Sequence, residues 1–103
     1  MRYEQLIAAV RVKNPKVILE VGTWNGVRAQ EMLNICHHAT YYGFDLFEDA
    51  TGETDADEMN VKAHYQIDRV RERLNGHDVH LIKGNTRETL AKFNEKVDFV
   101  WLD

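Results

Sequence analysis

The stretch ILEVGTWNGVRAQEML, residues 18–33, falls into three parts, and together they decide the fold. Val17 to Val21 is an apolar run broken by one acid, Glu20. Such a run suits a parallel strand covered on both faces better than a half-exposed one. Gly22 to Gly26 is a turn. Beyond it, Ala29, Met32, Leu33 and Cys36 recur at helical spacing as one stripe, with Asn25 placed to cap the helix. Strand, glycine turn and helix are the outline of a nucleotide-type binding loop. Trp24, however, stands where a dinucleotide loop of the form G-x-G-x-x-G has its second glycine, the residue that lets the backbone approach a pyrophosphate. The phosphate loop G-x-x-x-x-G-K-[ST] is absent.

Working outward, Tyr3, Leu6, Ile7 and Val10 predict a short amphipathic helix that ends at Asn14-Pro15, because a residue before proline avoids the α region. Tyr41 to Phe44 reads as a second strand ending at Asp45, and 48–60 as a polar loop. Ala63, Ile67, Val70 and Leu74 mark a helix that Asn75-Gly76 stops. Val79 to Lys83 is a third strand, followed by a turn and a short helix with Leu90 and Phe93 inward and Thr86 as its cap. Asp98 to Asp103 is a fourth strand, and Phe99 to Leu102 has the continuous apolar character of a strand buried on both faces. This alternation predicts an α/β fold: a Rossmann-like, doubly wound parallel sheet of four strands in order 3-2-1-4. Such sheets bind ligands beyond the carboxyl ends of their strands, where Gly22, Asp45 and Asn85 would converge.

Composition narrows the function. The 103 residues allow a single domain, with roughly two thirds of the unfolded surface buried. No apolar run approaches the roughly 18 residues of a membrane span, and no signal peptide opens the sequence. The lone Cys36 allows no internal disulfide and fits a reducing, cytoplasmic setting. A net charge of -4 argues against general nucleic-acid binding. Seven acids and no base lie between Asp45 and Glu58, so the remainder is net positive by three. That acidic stretch lacks the calcium-loop pattern and reads as a solvated loop or substrate lid. Cys36-His37-His38 has no second cluster at zinc spacing, so no metal site is expected. The sequence contains no serine, which excludes a Ser-His-Asp triad.

The turn therefore suits a ligand that lies over the strand end without a pyrophosphate. S-adenosylmethionine is one, with a sulfonium cation near which an indole face is mildly favourable. Glu20-Val-Gly22-Thr-Trp-Asn-Gly26 resembles the first motif, E/D-x-G-x-x-x-G, of class I S-adenosylmethionine-dependent methyltransferases, closest to the small O-methyltransferase-like and sugar or macrolide branch. The resemblance continues through Gly43-Phe-Asp45-Leu46, Lys83-Gly-Asn85-Thr86 and Val97-Asp-Phe-Val-Trp-Leu-Asp103, nearly the whole chain.

That resemblance implies roles residue by residue. Glu20 and Gly22 face the methionine part, and Gly22 and Gly26 admit the ligand to the backbone. Asp45, nineteen residues after Gly26, accepts from both ribose hydroxyls. Leu46 lies against the adenine, with Phe47 as a further wall, and Asn85 and the Thr86 backbone meet the adenine edge. Asp103 matches an acid that faces substrate or metal, and is the one catalytic candidate. Each residue also has a plainer reading: Gly22 and Gly26 as turn formers, Asp45 as a strand end, Asn85 as part of its own turn. The reaction expected is methyl transfer to a small-molecule acceptor. The alternatives are a truncated module that only binds S-adenosylmethionine or S-adenosylhomocysteine, and a half-domain for another adenine ligand. In the family, further strands follow the fourth, so Phe99 to Leu102 is expected to be an unpaired apolar edge with Trp101 half covered. Such an edge self-associates as a homodimer or a looser aggregate unless the N-terminal helix folds over the exposed face and leaves a monomer.

Overall fold

The computed structural model of the chain describes residues 2–47 and 66–102. Its elements are α1 (Arg2–Lys13), β1 (Val17–Val21), α2 (Val27–Ile35), β2 (Thr40–Asp45), α3 (Ile67–Arg73), β3 (Asp78–Lys83), α4 (Thr86–Lys92) and β4 (Phe99–Leu102). The four strands form one parallel sheet in the order β3-β2-β1-β4, as the alternation predicts. Ala63, the 48–60 loop and Asp103 lie outside the described residues.

Side chains alternate across each strand, so the register sorts the residues into two faces. Ile18 and Tyr41 belong to a core that also holds Leu6 and Val10 of α1, Met32 and Leu33 of α2, Val70 of α3 and Leu74. The stripe Ala29, Met32, Leu33 and Cys36 is buried in full. Burial raises the Cys36 thiol above its ordinary pKa, and the negative charge of Asp98 adds to this, so a reactive thiolate is disfavoured. On the opposite face Phe93 packs edge-to-face on Tyr42 at 4.9 Å and on Phe44 at 5.4 Å.

Two expectations are corrected. Asn85, not Thr86, caps α4: its side chain accepts from the Arg87 N–H at 2.9 Å. The Asn85 carboxamide oxygen reaches that donor from the extended backbone conformation usual for an N-cap residue. Leu90 is 36% exposed, because the short α4 meets the sheet through Phe93. Among the described residues β4 lies at a border of the sheet, as expected: Phe99 and Trp101 pack on the core, whereas Val100 and Leu102 are 53% and 68% exposed. They point to the face where α4 packs on β2, two strands away from β4. The start of β4 is nonetheless fixed, since the Asp98 carboxylate accepts from the Lys16 N–H at 3.0 Å and the Val17 N–H at 2.9 Å.

Candidate functional site

The carboxyl ends of β1, β2 and β3 meet in one place. The Gly22 N–H donates to the Phe44 carbonyl at 2.8 Å, and the Gly84 N–H to the Asp45 carbonyl at 3.0 Å. This brings the Gly22 turn, Asp45 and the Gly84-Asn85 turn side by side, as the strand order requires. Gly22 has φ 91°, Gly26 φ 83° and Trp24 φ 53°. A chain that turns this sharply visits the left-handed region repeatedly, and glycine does so without steric cost. Trp24 has no such freedom. Its conformation is supported by Asp45, whose Oδ2 accepts the Trp24 N–H at 2.7 Å.

Asp45 therefore shapes the turn besides ending β2. Its other oxygen accepts from the Phe47 N–H at 3.2 Å. An ionised carboxylate has about four lone-pair positions, so acceptor capacity is left for hydroxyl donors. Leu46 beside it is half-buried. Phe47 is 1% exposed and belongs to the hydrophobic core, so it is not a wall of an open site. Asn85 is exposed, with its side-chain oxygen committed to the helix cap, and Thr86 opens α4 behind it.

Gly26 is needed by the packing whatever binds. A Cβ there would come within 2.9 Å of the Val70 Cγ1 atom of α3, in a backbone conformation that already disfavours side chains. It is also the N-cap of α2, while the Asn25 side chain accepts the Val27 N–H at 3.1 Å. Between the turn and α3, a cleft of about 450 Å³ is lined by Asn25, Arg69, Val70, Glu72 and Arg73. It shares only Asn25 with the turn and reaches neither Gly22 nor Asp45, so it is not the bed that the strand ends define.

Beneath the turn lies a polar group that the sequence reading missed. Glu20 and Thr23 are buried, and so is Tyr41 between them. The Tyr41 hydroxyl donates to Glu20 Oε1 at 2.6 Å and lies 3.1 Å from Thr23 Oγ1. Having spent its one proton on Glu20, the phenol accepts from Thr23. Burial, then the charge of Glu20, raise the Tyr41 pKa well above its ordinary value, so the phenol stays a donor. The signal for this group was the pair Tyr41 and Gly43, a ring and an empty position two residues apart on one face of β2.

Among the described residues, no group of three or more His, Cys, Asp or Glu is placed to hold a metal ion. Among the same residues, no helix is long and apolar enough to cross a membrane.

Comparison with curated protein sequences gives no match. Solved structures are similar in fold. A methyltransferase from Podospora anserina, solved with S-adenosylhomocysteine bound, has a TM-score of 0.69 at 21% identity, over 99% of this chain and 39% of its own. An O-methyltransferase from Bacillus cereus in complex with S-adenosylhomocysteine has a TM-score of 0.66 at 18% identity, over 99% and 43%. The O-methyltransferase TomG of Streptomyces achromogenes, involved in tomaymycin synthesis and solved with S-adenosylmethionine, has a TM-score of 0.65 at 19% identity, over 99% and 43%. This chain thus spans about two fifths of the length of those structures. A family model described as a methyltransferase domain matches residues 19–103, from within β1 through all four strands and the turn just described. The chain belongs to the methyltransferase-domain family.

Proposed function

We propose that the chain binds S-adenosylmethionine over the carboxyl ends of β1 and β2, as the cofactor-binding part of a methyltransferase acting on a small-molecule acceptor. The observation that carries this reading is Asp45, which holds the glycine turn through Trp24 and keeps acceptor capacity beside it. Two ribose hydroxyls are the donors that capacity suits. Gly22, at φ 91°, gives the ligand a turn without a side chain, and Glu20 stands below it for the methionine end. Leu46 lies beside Asp45 for the adenine ring, with Asn85 and the Thr86 backbone at its edge. The bound ligand supplies the electrophilic methyl group. What this chain contributes is placement of the nucleoside and amino-acid ends, which is the main source of rate in a direct transfer. Membership of the family and the ligands of the similar structures support the same reading. The lone Cys36, buried and reduced, suits a cytoplasmic setting.

An alternative reading is a module that binds the cofactor without turning it over. Two measurements separate the readings. Calorimetry with S-adenosylhomocysteine is expected to give saturable binding, and NAD is expected not to compete. Methyl transfer or cofactor breakdown by the purified chain then marks an enzyme, and binding without turnover marks a module. Gly22→Val is expected to abolish the ligand-induced thermal shift while circular dichroism keeps the α/β signature. A wild-type chain indifferent to S-adenosylhomocysteine would defeat both readings.

A further inference from the structure

The buried group beneath the turn has a structure of its own. Glu20 of β1 is in register with Gly43 of β2, and Tyr41 stands two residues before Gly43 on the same face. Its ring runs forward over Gly43 toward the strand end. A Cβ on Gly43 would come within 2.7 Å of Tyr41 Cε1, 2.9 Å of the hydroxyl and 2.5 Å of Thr23 Oγ1. The glycine is therefore the slot through which the phenol reaches the turn. There it links the acid of β1 to the second residue of the turn, in the donor order Thr23 to Tyr41 to Glu20. Such a chain polarises along its length and strengthens in a dry interior.

The turn is thus fixed from two directions. Asp45 holds the Trp24 backbone from the β2 end, the side read as ribose-binding. Tyr41 holds Thr23 and Glu20 from below, the side read as binding the amino-acid end.

We propose that Tyr41 is a positioning residue, whose phenol orients Glu20 and Thr23 for the amino-acid end of a bound S-adenosyl ligand. The inference rests on the cofactor reading above. It divides the site: Asp45 acts on the nucleoside, Tyr41 on the amino acid, and neither substitutes for the other.

Two probes separate these parts. S-adenosylhomocysteine carries nucleoside, sulfur and amino acid; 5′-methylthioadenosine carries the same nucleoside and sulfur without the amino acid. Tyr41→Phe keeps the ring and deletes the hydroxyl. It is expected to weaken S-adenosylhomocysteine by about tenfold, the scale of one hydrogen bond to a charged group, and to leave 5′-methylthioadenosine within about twofold of wild type. Thr23→Val, which keeps the shape of the side chain and breaks the upper bond, is expected to show the same selectivity in weaker form. Thr23→Ser, which restores the hydroxyl, is expected to bind like wild type. Asp45→Ala is expected to weaken both probes together. Thermal midpoints without ligand report whether each variant is folded, and Thr23→Val decides if Tyr41→Phe is not. A Tyr41→Phe or Thr23→Val protein that is folded and loses both probes equally, or neither, overturns the positioning role while leaving the cofactor reading intact. A wild-type chain that binds neither probe overturns the cofactor reading, and this inference with it.

Discussion

Gly43→Ala is the most informative single substitution for the architecture beneath the turn. Gly43 is not among the residues with positive φ, so alanine suits its backbone. On that ground alone, loss of unfolded-state freedom would stabilise the variant by about 0.4–1 kcal/mol. The added methyl, however, would meet three atoms at 2.5, 2.7 and 2.9 Å, none of them the free end of a flexible chain. Thr23 Oγ1 is held by Tyr41, and Tyr41 is wedged in the core and bonded to Glu20. Overpacking a dense core costs about 1–3 kcal/mol, and a three-sided contact belongs at the upper end. The net expectation is destabilisation by roughly 1.5–2.5 kcal/mol, or about 6–20 °C in thermal midpoint for a domain of this size. Urea unfolding followed by circular dichroism measures it. Tyr41→Leu removes the ring edge and hydroxyl, so adding Gly43→Ala to that variant should cost at least about 1 kcal/mol less than in wild type. A Gly43→Ala protein as stable as wild type, or additive effects in the double variant, would show that the slot is not filled as described.

Three further outcomes are expected. Asp45→Ala should weaken S-adenosylhomocysteine by about 1.5–3 kcal/mol in calorimetry and lower stability as well, since it frees the Trp24 and Phe47 N–H groups, whereas Asp55→Ala should do little; equal effects on binding would contradict the ribose assignment. The N–H groups of Lys16 and Val17 hold the Asp98 carboxyl below its ordinary pKa, against a smaller opposing effect of burial. A depressed native pKa stabilises the fold above the unfolded value near 3.9, and that stability is lost as pH falls through the native one. Asp98→Asn should therefore be less stable than wild type at pH 7, by under about 1 kcal/mol for so exposed a group, and the gap should close in acid; a constant gap between pH 7 and pH 2 would refute the clamp. The 103-residue chain should self-associate through β4, a border of the sheet among the described residues, with Val100 and Leu102 outward; light scattering should find a dimer that Val100→Lys dissolves, and a wild type monomeric at high concentration would rule this out.

The order of elements was legible in the sequence because each rested on a signal local to itself. Val17 to Val21 is apolar apart from Glu20, with Ile18 to Glu20 buried, and the stripe from Ala29 to Cys36 has the helical period. Asn14, at φ 45°, accomplishes the stop that Asn14-Pro15 promised. Gly22 and Asp45 converge because strand order alone puts their strand ends together. The misreadings came where a residue's fate depends on what lies across from it. Phe47 and Leu90 are both large apolar residues next to site motifs, yet the core takes Phe47 and solvent keeps part of Leu90. Periodicity could not tell them apart. Phe99 to Leu102 has the composition of a strand buried twice over, and its border position in the sheet among the described residues, read from the strand order, is what leaves Val100 and Leu102 exposed.

The group beneath the turn depends on a relation of the same kind. Taken alone, Tyr41 is an aromatic residue in an aromatic strand, Thr23 a filler between glycine and tryptophan, and Gly43 a weak spot in β2. Their meaning lies in one register, Glu20 opposite Gly43, which aims a ring from two residues back at the acid of the neighbouring strand. Parallel register is set by how whole strands pack, so no window of sequence contains it. The residues that would touch a ligand were readable as a motif. Those that hold them in place are spread over β1, the turn and β2, and can be recognised only once the sheet is assembled. The hydroxyl of Tyr41 is the sharpest case: removing that one oxygen leaves the sequence pattern of the motif intact while cutting the link between its acid and its turn.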